Sequence, residues 1–372
     1  MENSVSKEEL HILTKDEQKR YKIIIPAYEP EEGLIDFIKE LRSQIASDII
    51  LVDDGSGEEY KGIFDRLQED LGCVVLTHYR NMGKGRALKD AFNFCLNSYE
   101  DMKGCITADS DGQHSPKDIE RCMNELAAYP DRLILGVRDF SGKDIPGKSK
   151  FGNKTTIAVV KLFCGMKISD TQTGLRAIPR AFMEEILTTA GERFDYEMNM
   201  LIDSKYLCPI KEVPIETIYE SKSNHRTHFD PIRDSIRIYK IFGKMFLHFT
   251  ISSLSSCLVD LALFSVFCRM FRETVPVYYV TIATVLARVI SSAYNYLVNY
   301  KLVFHSNDGY VKTGAKYFTL AAIQMAVSAG LVTLLNVIIP FVPETGIKVV
   351  VDLCLFFISY QVQRELIFKK IK

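Results

Sequence analysis

Residues 49–56 read Ile49-Ile50-Leu51-Val52-Asp53-Asp54-Gly55-Ser56, an apolar run that ends directly in two carboxylates and a turn. The arrangement recurs further along the chain, where the apolar run 105–108 is followed by Asp109-Ser110-Asp111-Gly112-Gln113-His114. Short apolar runs of this kind are typical of buried parallel strands, and the ligands of open α/β sheets bind at the carboxyl ends of such strands. The two stretches therefore predict carboxylates at one edge of a parallel sheet, where they can hold a divalent cation against a diphosphate.

Strand and helix patterns alternate along the first half of the chain. The pattern predicts strands at 21–27, 48–52, 73–78, 104–108 and 133–137, and helices at 31–45, at 81–96 and from Pro116 onward. This alternation is typical of a mostly parallel sheet covered by helices on both faces. We therefore predict the α/β fold class for this half.

The turn after the first strand distinguishes among nucleotide-binding versions of such a sheet. It reads Pro26-Ala27-Tyr28-Glu29-Pro30, which is neither the Gly-x-Gly-x-x-Gly of dinucleotide-binding folds nor a phosphate-loop motif. Dehydrogenases and phosphate-loop NTPases thus lose their main sequence support. The Gly83-Lys84-Gly85 turn has two interpretations, a plain helix entry or one from which Lys84 also approaches a phosphate.

Composition divides the 372 residues into a charged half and an apolar half. Beyond about Lys244 there are four apolar stretches, at 245–268, 277–298, 317–341 and 347–367, each long enough to cross a bilayer. A net charge of -1 and the lack of zinc-finger or basic-helix spacing argue against nucleic-acid binding. The nine cysteines show no Cys-x-x-Cys pair, which suits a reducing compartment.

The distribution of lysines predicts the orientation in the membrane. The lysines that flank the apolar stretches all fall on one predicted side: Lys240, Lys244, Lys301, Lys312, Lys316, Lys369, Lys370 and Lys372. Because positive charge favours the cytoplasmic side and the first twenty residues lack a signal-peptide core, we expect the first domain and both termini in the cytoplasm of a multi-pass cell-membrane protein.

Residues 21–240 resemble the inverting family-2 glycosyltransferases of GT-A fold, in particular the polyprenyl-phosphate glycosyltransferases similar to dolichyl-phosphate mannose synthase. The resemblance is carried by seven marks in the expected order: Ile25-Pro26-Ala27-Tyr28, Val52-Asp53-Asp54-Gly55-Ser56, Asn81-Met82-Gly83-Lys84-Gly85, Asp109-Ser110-Asp111-Gly112-Gln113-His114, Gly136-Val137-Arg138, Asp170-Thr171-Gln172-Thr173-Gly174 and Val213-Pro214-Ile215. It implies a nucleotide-diphospho-sugar transferase that moves one sugar from a UDP- or GDP-sugar to a polyprenyl phosphate such as undecaprenyl phosphate, for cell-envelope glycan modification.

The resemblance also implies roles for residues at the predicted sheet edge. Pro26, Tyr28 and Asp54, and also Asp53, are expected to bind the nucleoside. The family usually continues after the tyrosine with Asn-Glu, whereas this chain has Glu29-Pro30-Glu31, so that either glutamate can fill the acidic position. Asp109, Asp111 and Gln113 alternate so that two or three oxygens can reach Mg²⁺ or Mn²⁺, and Asp111 is the expected catalytic carboxylate.

A basic segment follows the fifth strand and is the expected binding site for the acceptor. It contains Arg138, Lys143, Lys148 and Lys150, and we expect Arg138 above all to receive the lipid phosphate, with Lys148 and Lys150 beside it. A solvated basic loop is the alternative.

Polar residues further along can contact the donor sugar. Asp170, Thr173 and Arg176 suit the recognition of sugar hydroxyls, and a tight turn is their alternative reading. Asp195 and Glu197 begin a helix, where they either face the sugar or cap the helix. By resemblance, Arg226 reaches the donor diphosphate.

The junction and the apolar half complete the predicted domain order. This order is an extension at 1–20, a GT-A domain at 21–229, an amphipathic helix at 230–244 that is interfacial or a plain surface helix, and a membrane domain at 245–368. The four apolar stretches resemble a GtrA-like four-helix membrane domain over about residues 242–368.

The second apolar stretch carries a polar stripe. Its members are Arg288, Ser291, Ser292, Asn295 and Asn299, which helical spacing places on one face. A mid-bilayer arginine requires a partner, for which Asp260 and Asp352 are the candidates. Arg288 is then either half of a structural ion pair or a contact for the lipid phosphate, and the domain either anchors the enzyme or flips the lipid; a homo-oligomer is compatible with both.

Two other functions remain open from sequence. A processive polysaccharide synthase of the same superfamily is disfavoured, because its acceptor motif contains a tryptophan and this chain has none. A lipid-linked sugar flippase or scaffold with a donor-sensing domain is disfavoured by the retention of every acidic position. Glucose, galactose, mannose and N-acetylglucosamine all remain candidate sugars.

Overall fold

The structure is a computed structural model that describes residues 12–139, 147–216, 233–304, 306, 309–339 and 341–368. The chain divides into two compact units, Met1–Ile238 and Tyr239–Lys372. Each unit is described by itself.

A seven-stranded sheet forms the centre of the first unit. Its strands are β1 (Tyr21–Ala27), β2 (Asp48–Asp53), β3 (Val74–Thr77), β4 (Gly104–Thr107), β5 (Leu133–Arg138), β6 (Arg176–Pro179) and β7 (Ile210–Ile215). They lie in the order β3-β2-β1-β4-β6-β5-β7, and only β6 runs antiparallel to its neighbours β4 and β5. The prediction of a mostly parallel α/β sheet is therefore confirmed.

Eight α-helices lie wholly within the described part of this unit. They are α1 (Lys15–Gln18), α2 (Gly33–Gln44), α3 (Lys61–Glu69), α4 (Lys84–Ser98), α5 (Pro116–Ala128), α6 (Gly147–Cys164), α7 (Arg180–Ile186) and α8 (Phe194–Leu207). The apolar faces of α2, α3 and α5 join Ile23, Leu51 and Ile106 in one buried cluster. Helix α5 begins at Pro116 as predicted, since proline has no N–H to leave unbonded there.

Strands β6 and β7 are not apparent in the sequence pattern. Strand β6 is only four residues long and begins with the charged Arg176. Strand β7 contains Lys211, Glu212 and Pro214, which is compatible with its place at the edge of the sheet, where a missing N–H breaks no ladder bond. Short and polar strands escape a search for apolar runs.

The second unit consists of long helices. They are α9 (Arg233–Phe271), whose first six residues precede the division at Tyr239, α10 (Tyr279–Val298), α11 (Tyr310–Ile338) and α12 (Glu344–Val362). Three segments among the described residues are long and apolar enough to cross a membrane: Phe246–Phe271, Tyr310–Ile338 and Gly346–Ile367. Helix α10 matches the remaining predicted stretch but is not among the three, because Arg288, Asn295 and three tyrosines lower its hydropathy. The fourth span stays a prediction.

Polar side chains bind one another between these helices. The hydroxyl of Ser252 donates to Asn299 Oδ1 at 2.7 Å and to Asn295 Oδ1 at 3.0 Å, and Asn299 Nδ2 donates to Gln363 Oε1 at 2.9 Å. Asn299 is fully buried and Ser291 is nearly so. The polar stripe therefore places these side chains inside the bundle, where hydrogen bonds satisfy them.

Helices α10 and α12 end in the same way. Residues 295–304 and 359–368 share four of their ten residues, with tyrosine, valine, leucine and phenylalanine at equivalent positions. Each helix continues into a π-helical turn, Asn299–Val303 after α10 and Gln363–Ile367 after α12. The rings of Phe304 and Phe368, which close the two turns, are stacked with centroids 5.1 Å apart. The two helix ends thus meet as similar halves of one contact.

Candidate functional site

Asp54 organises the loop that follows β3. Its side chain is almost fully buried directly after β2, and its two oxygens accept the N–H groups of Met82 at 2.8 Å and Gly83 at 2.7 Å. Nδ1 of His78 lies 2.8 Å from Asp54 Oδ1. Asp54 therefore uses its carboxylate to shape the entry of α4, which places the next residue, Lys84.

Asp53 closes the turn before this loop. Its Oδ1 accepts the N–H of Ser56 at 2.8 Å. Gly55 adopts φ +73°, and a Cβ there would lie 2.2 Å from the backbone carbon of Arg80. Only glycine permits this approach between the loops that follow β2 and β3.

The Gly83-Lys84-Gly85 turn is a helix entry, because α4 begins at Lys84 after Gly83 at φ +104°. A Cβ at Gly83 would lie 2.5 Å from Glu192 O, and one at Gly85 would lie 2.5 Å from Tyr196 Cβ. The glycines let α4 pack closely against the start of α8. This packing brings Lys84 next to residues of both β4 and α8.

Four predicted site residues meet in one charged cluster. Lys84 Nζ lies 2.7 Å from Asp109 Oδ1 and 3.0 Å from Glu197 Oε1. Arg176 Nη2 is 4.0 Å from Glu197 Oε1, and His114 Nε2 is 3.3 Å from Asp109 Oδ2. The cluster lies at the carboxyl end of β4, as the sequence predicts for Asp109.

The charges in this cluster support one another. Burial is the largest single effect and opposes the charged forms of Lys84 and Asp109, but the ion pairs and hydrogen bonds of the cluster together outweigh it. With the further negative charge of Glu197, the pKa of Lys84 is raised; with the help of His114, the pKa of Asp109 is held well below its usual range.

Asp111 is less well compensated than Asp109. Its side chain is exposed, and its Oδ1 accepts the N–H of Gln113 at 3.1 Å. Desolvation by the surrounding protein and the negative charge of Asp109 raise the pKa of Asp111. Two carboxylates that repel one another through space form a suitable oxygen donor set for Mg²⁺ or Mn²⁺.

Asp109 and Asp111 can supply some of the ligands of a divalent cation, and the remaining ligands would come from water and substrate. Among the residues that the structure describes, no three His, Cys, Asp or Glu side chains converge as a metal site. Such cations keep waters and bind through one or two carboxylates plus substrate phosphates, which agrees with this incomplete set. The third predicted ligand, Gln113, uses its N–H on Asp111, and a metal contact by its side chain stays a prediction.

The loop after β1 brings Tyr28 and Glu29 together. The side chain of Tyr28 forms a hydrogen bond with Glu29. This bond is the largest cause of the raised pKa of Tyr28, and burial adds to it. Glu29 has φ 49°, and its N–H donates to Ser56 Oγ at 2.8 Å, so that the loops after β1 and β2 touch. Glu31 is exposed at the start of α2. Pro26 is the last residue but one of β1 and lies beside this loop, and the geometry favours Glu29 over Glu31 as the acidic neighbour of Tyr28.

Arg138 ends β5 and is paired with a buried carboxylate. Its Nε lies 2.7 Å from Asp170 Oδ2, its Nη2 donates to Asp170 Oδ1 at 3.1 Å, and Asp170 is fully buried. Thr173 donates to Gly136 O at 2.6 Å. Arg176, also buried, donates to the backbone oxygen of Glu197 at 2.7 Å. Segment 170–176 therefore supports Arg138 and Glu197 from beneath, and direct sugar contacts by its side chains stay predictions.

Of the remaining predicted site residues, the structure describes the side chain of one, the backbone alone of two, and nothing of two others. Asp195 Oδ1 accepts the N–H of Arg193 at 3.0 Å at the start of α8, which is a local bond of the capping kind and not a contact with a sugar. Lys148 and Lys150 lie in α6, and their side chains are outside the described part. Lys143 and Arg226 lie outside the described residues altogether.

Within the second unit, Asp260 is the partner of Arg288. Arg288 Nη2 lies 3.4 Å from Asp260 Oδ2, and Ser291 donates to Asp260 Oδ1 at 2.8 Å. The other candidate, Asp352, instead binds Lys348 at 2.8 Å and Ser328 at 2.6 Å. The predicted cluster thus separates into two groups, because helical neighbours four residues apart satisfy Asp352 first.

His78 is a site residue that the sequence reasoning missed. It connects Asp54 with Asp90, whose Oδ2 lies 3.2 Å from His78 Nε2. It follows β3 by one residue, and β3 pairs with β2 so that Thr77 lies opposite Asp53. A polar residue just after the neighbouring strand is the signal that could have found it.

Comparisons with known proteins identify the families of the two parts of the chain. A family model described as glycosyl transferase family 2 matches residues 22–187, and one described as the GtrA/DPMS transmembrane domain matches residues 245–368. An uncharacterized protein of Methanocaldococcus jannaschii is 30% identical over 209 residues, covering 55% of this chain and 84% of that protein.

Two further relatives have names that state an activity. The UDP-N-acetylglucosamine–dolichyl-phosphate N-acetylglucosaminyltransferase of Methanococcus voltae is 28% identical, with 55% of this chain and 88% of that protein covered. The polyprenol monophosphomannose synthase of Mycolicibacterium smegmatis is 27% identical, with 48% and 68% covered. The chain belongs to glycosyl transferase family 2 and joins its transferase domain to a GtrA/DPMS transmembrane domain.

Proposed function

We propose that this glycosyltransferase transfers a single sugar from a UDP- or GDP-sugar to a polyprenyl phosphate, with Mg²⁺ or Mn²⁺ and with inversion at the anomeric carbon. The observation that carries the proposal is the cluster of Lys84, Asp109 and Asp111 at the carboxyl edge of the sheet, in a chain with membrane-spanning helices. The names of the two relatives support the lipid acceptor.

The donor is assigned to the edge formed by the loops after β1, β2 and β4. Tyr28, Glu29 and the turn at Asp53–Asp54 supply a ring and acidic groups for the nucleoside, and Ser56 ties two of these loops together. Asp109 and Asp111 would hold the cation, which when bound stabilises the negative charge of the leaving diphosphate. Asp54 acts through the loop that it orders, because its oxygens are occupied by Met82 and Gly83.

The acceptor requires positioning more than activation. A phosphate monoester has a second pKa of about 6, so its oxygen is already anionic at neutral pH. We assign its recognition to Arg138, whose guanidinium is oriented by Asp170 at the end of β5, with Lys148 and Lys150 following in α6. A planar guanidinium suits a phosphate better than an ammonium does, because it offers paired donors.

The reaction is assigned to the cytoplasmic membrane face, as the lysine distribution predicts. Four spans are part of this proposal, and α10 supports the fourth with 20 residues, about 30 Å of helix. Its side chains Val285 and Val289 are more than half exposed, as lipid-facing residues are, whereas Ser291 and Asn299 point into the bundle. Undecaprenyl phosphate and a role in modifying cell-envelope glycans complete the proposal.

The test supplies the purified full chain in membranes with polyprenyl phosphate and a panel of labelled nucleotide sugars, with and without a chelator. We expect one labelled sugar per lipid, from one donor, and no product after chelation. A polymer would indicate a processive synthase, and no transfer from any donor would indicate a sensor or scaffold. Either of these results overturns the proposal, and product formed in the presence of the chelator overturns its metal dependence.

A further inference from the structure

The ammonium group of Lys84 is bound to Asp109 Oδ1, an oxygen atom that the divalent cation would also require as a ligand. Its ammonium lies 2.7 Å from Asp109 Oδ1 and 3.0 Å from Glu197 Oε1, and the side chain is only 17% exposed. The ring of Phe194 closes one side, with its centroid 5.8 Å from Nζ. The site therefore contains a positive charge of its own before any metal binds.

We propose that Lys84 is a resident cation that holds Asp109 in the metal-free enzyme and moves to the donor diphosphate when the divalent cation takes its place. The inference rests on the proposed function, since it requires a nucleotide-diphosphate donor and a metal. It adds that the chain regulates its own metal affinity through Lys84.

The two carboxylates that Lys84 holds are not equally dependent on it. When Lys84 leaves, Glu197 keeps a cationic neighbour, because Arg176 Nη2 is 4.0 Å away and its guanidinium donates to the Glu197 backbone oxygen. Asp109 keeps His114 and gains the divalent cation. When the divalent cation replaces Lys84 at Asp109, both Glu197 and Asp109 therefore still have a partner for their carboxylates.

The position of Lys84 on α4 gives its ammonium a second destination. Lys84 is the first residue of α4, a 15-residue helix whose dipole favours an anion near its amino-terminal end. Its flexible four-carbon side chain allows the ammonium to move while the backbone stays fixed by Gly83, whose N–H is bound to Asp54. A divalent ion at Asp109 repels the ammonium, and a diphosphate attracts it.

The first experiment measures Mn²⁺ binding to the full chain without any donor, from the electron paramagnetic resonance signal of free Mn²⁺. We expect Lys84→Met to bind Mn²⁺ at least about tenfold more tightly than the natural chain, because the competing charge is gone. Lys89→Met is the matched control. Lys89 lies on the same helix, also contacts a carboxylate, that of Glu192, and packs over Tyr196, so it loses the same charge without touching Asp109.

A second experiment keeps Lys84 and follows its movement. Since the chain has no tryptophan, Phe194→Trp introduces a single indole beside the ammonium. We expect its emission to change when Mn²⁺ and inorganic pyrophosphate are added, and not to change in Phe194→Trp combined with Lys84→Met. This readout does not depend on catalysis, and its first half, the response of Phe194→Trp with Lys84 intact, is measurable even where Lys84→Met folds poorly; an indole that does not respond to Mn²⁺ and pyrophosphate overturns the movement of Lys84.

The results separate this inference from the proposed function. Equal or weaker Mn²⁺ binding by Lys84→Met, or an indole signal that persists without Lys84, overturns the competition while leaving a metal-dependent transferase in place. A natural chain and a Lys84→Met variant that both fail to bind Mn²⁺ overturn the inference and the metal dependence of the proposed function together.

Discussion

Arg138 and Asp170 form a two-point ion pair, with Nε 2.7 Å from Oδ2 and Nη2 3.1 Å from Oδ1. The carboxylate is fully buried, and the guanidinium, at the end of β5, is about one-fifth exposed. The pair therefore fixes the Nε–Nη2 edge of the guanidinium and holds the arginine at the edge of the sheet where donor and acceptor are expected to meet. Its geometry makes Arg138 a rigid group, in contrast to the lysine in the neighbouring charged cluster.

Arg138→Lys should weaken acceptor binding selectively. A lysine keeps the charge but loses the planar fork, so it cannot satisfy Asp170 and a phosphate in the same arrangement. We expect the KM for polyprenyl phosphate to rise about tenfold or more while the KM for the nucleotide sugar changes less than about twofold. Steady-state kinetics with each substrate varied in turn measures both, with Arg132→Lys as the control. A rise in the donor KM alone would instead assign Arg138 to the donor.

Asp111→Asn should remove most turnover without unfolding the chain. Asparagine preserves size and one oxygen but loses the charge that holds a divalent cation, and loss of one such stabilising group costs about 10²- to 10³-fold in kcat. Initial rates under saturating donor and acceptor test this, with the exposed Asp70→Asn as the control. Unimpaired turnover of Asp111→Asn would contradict the metal role of Asp111.

The same substitution should stabilise the metal-free protein, in a pH-dependent manner. The pKa of Asp111 is raised in the folded state, so its ionisation favours unfolding, and its contribution to stability is lost as the pH rises through that pKa. Asp111→Asn should therefore have a higher Tm than the natural chain at pH 7.5, and this difference should shrink as the pH falls through the raised pKa toward the ordinary pKa of an aspartate.

Thermal unfolding of the full chain in detergent with chelator, at several pH values from 7.5 downward, measures this difference. Asp70→Asn again serves as the control. A Tm that falls on Asp111→Asn at pH 7.5 would show that the carboxylate is well compensated without metal, contrary to its contacts.

Asp260 and Arg288 should behave as one structural unit. Arg288→Met leaves the mostly buried carboxylate of Asp260 without its cation and should lower the thermal stability, and Asp260→Leu combined with it removes that uncompensated charge and should restore much of the loss. The fraction of monodisperse protein after heating in detergent measures this. A double variant that is less stable than either single variant would refute the pairing.

The same variants separate anchoring from lipid movement. We expect the double variant to leave the distribution of sugar-linked lipid between the two leaflets unchanged, since a structural pair has no part in translocation. A stable, folded double variant that accumulates the lipid in the cytoplasmic leaflet would assign Arg288 a role in moving it.

The fold of the first unit was largely predictable because its central strands are continuous apolar runs. Strands β1, β2 and β4 are buried on both faces, and their pattern gives both their positions and the edge at which Asp54 and Asp109 lie. The antiparallel β6 was not predictable in the same way, since its direction is decided by pairing with β4 and β5 and not by its own four residues.

The residues of the candidate site could be predicted from the sequence, but the contacts among them could not. Sequence placed Lys84, Asp109, Arg176 and Glu197 among the functional candidates, and they meet. Which of them would bind one another, and that Asp170 would be buried beneath Arg138, depends on the packing of α4 against α8 and of β6 beneath the loops. His78 escaped because its role depends on strand register, which a single sequence does not show.

The paired amides of Asn299 and Gln363, where α10 and α12 pass into their π turns, constrain how this membrane domain can vary in length. One residue added within α10 before Asn299 would turn its amide by about 100° away from its partner. The distance from the start of each of these helices to its amide is therefore fixed, and a change of chain length is tolerated only in the connections, such as the turn at 272–278 between α9 and α10.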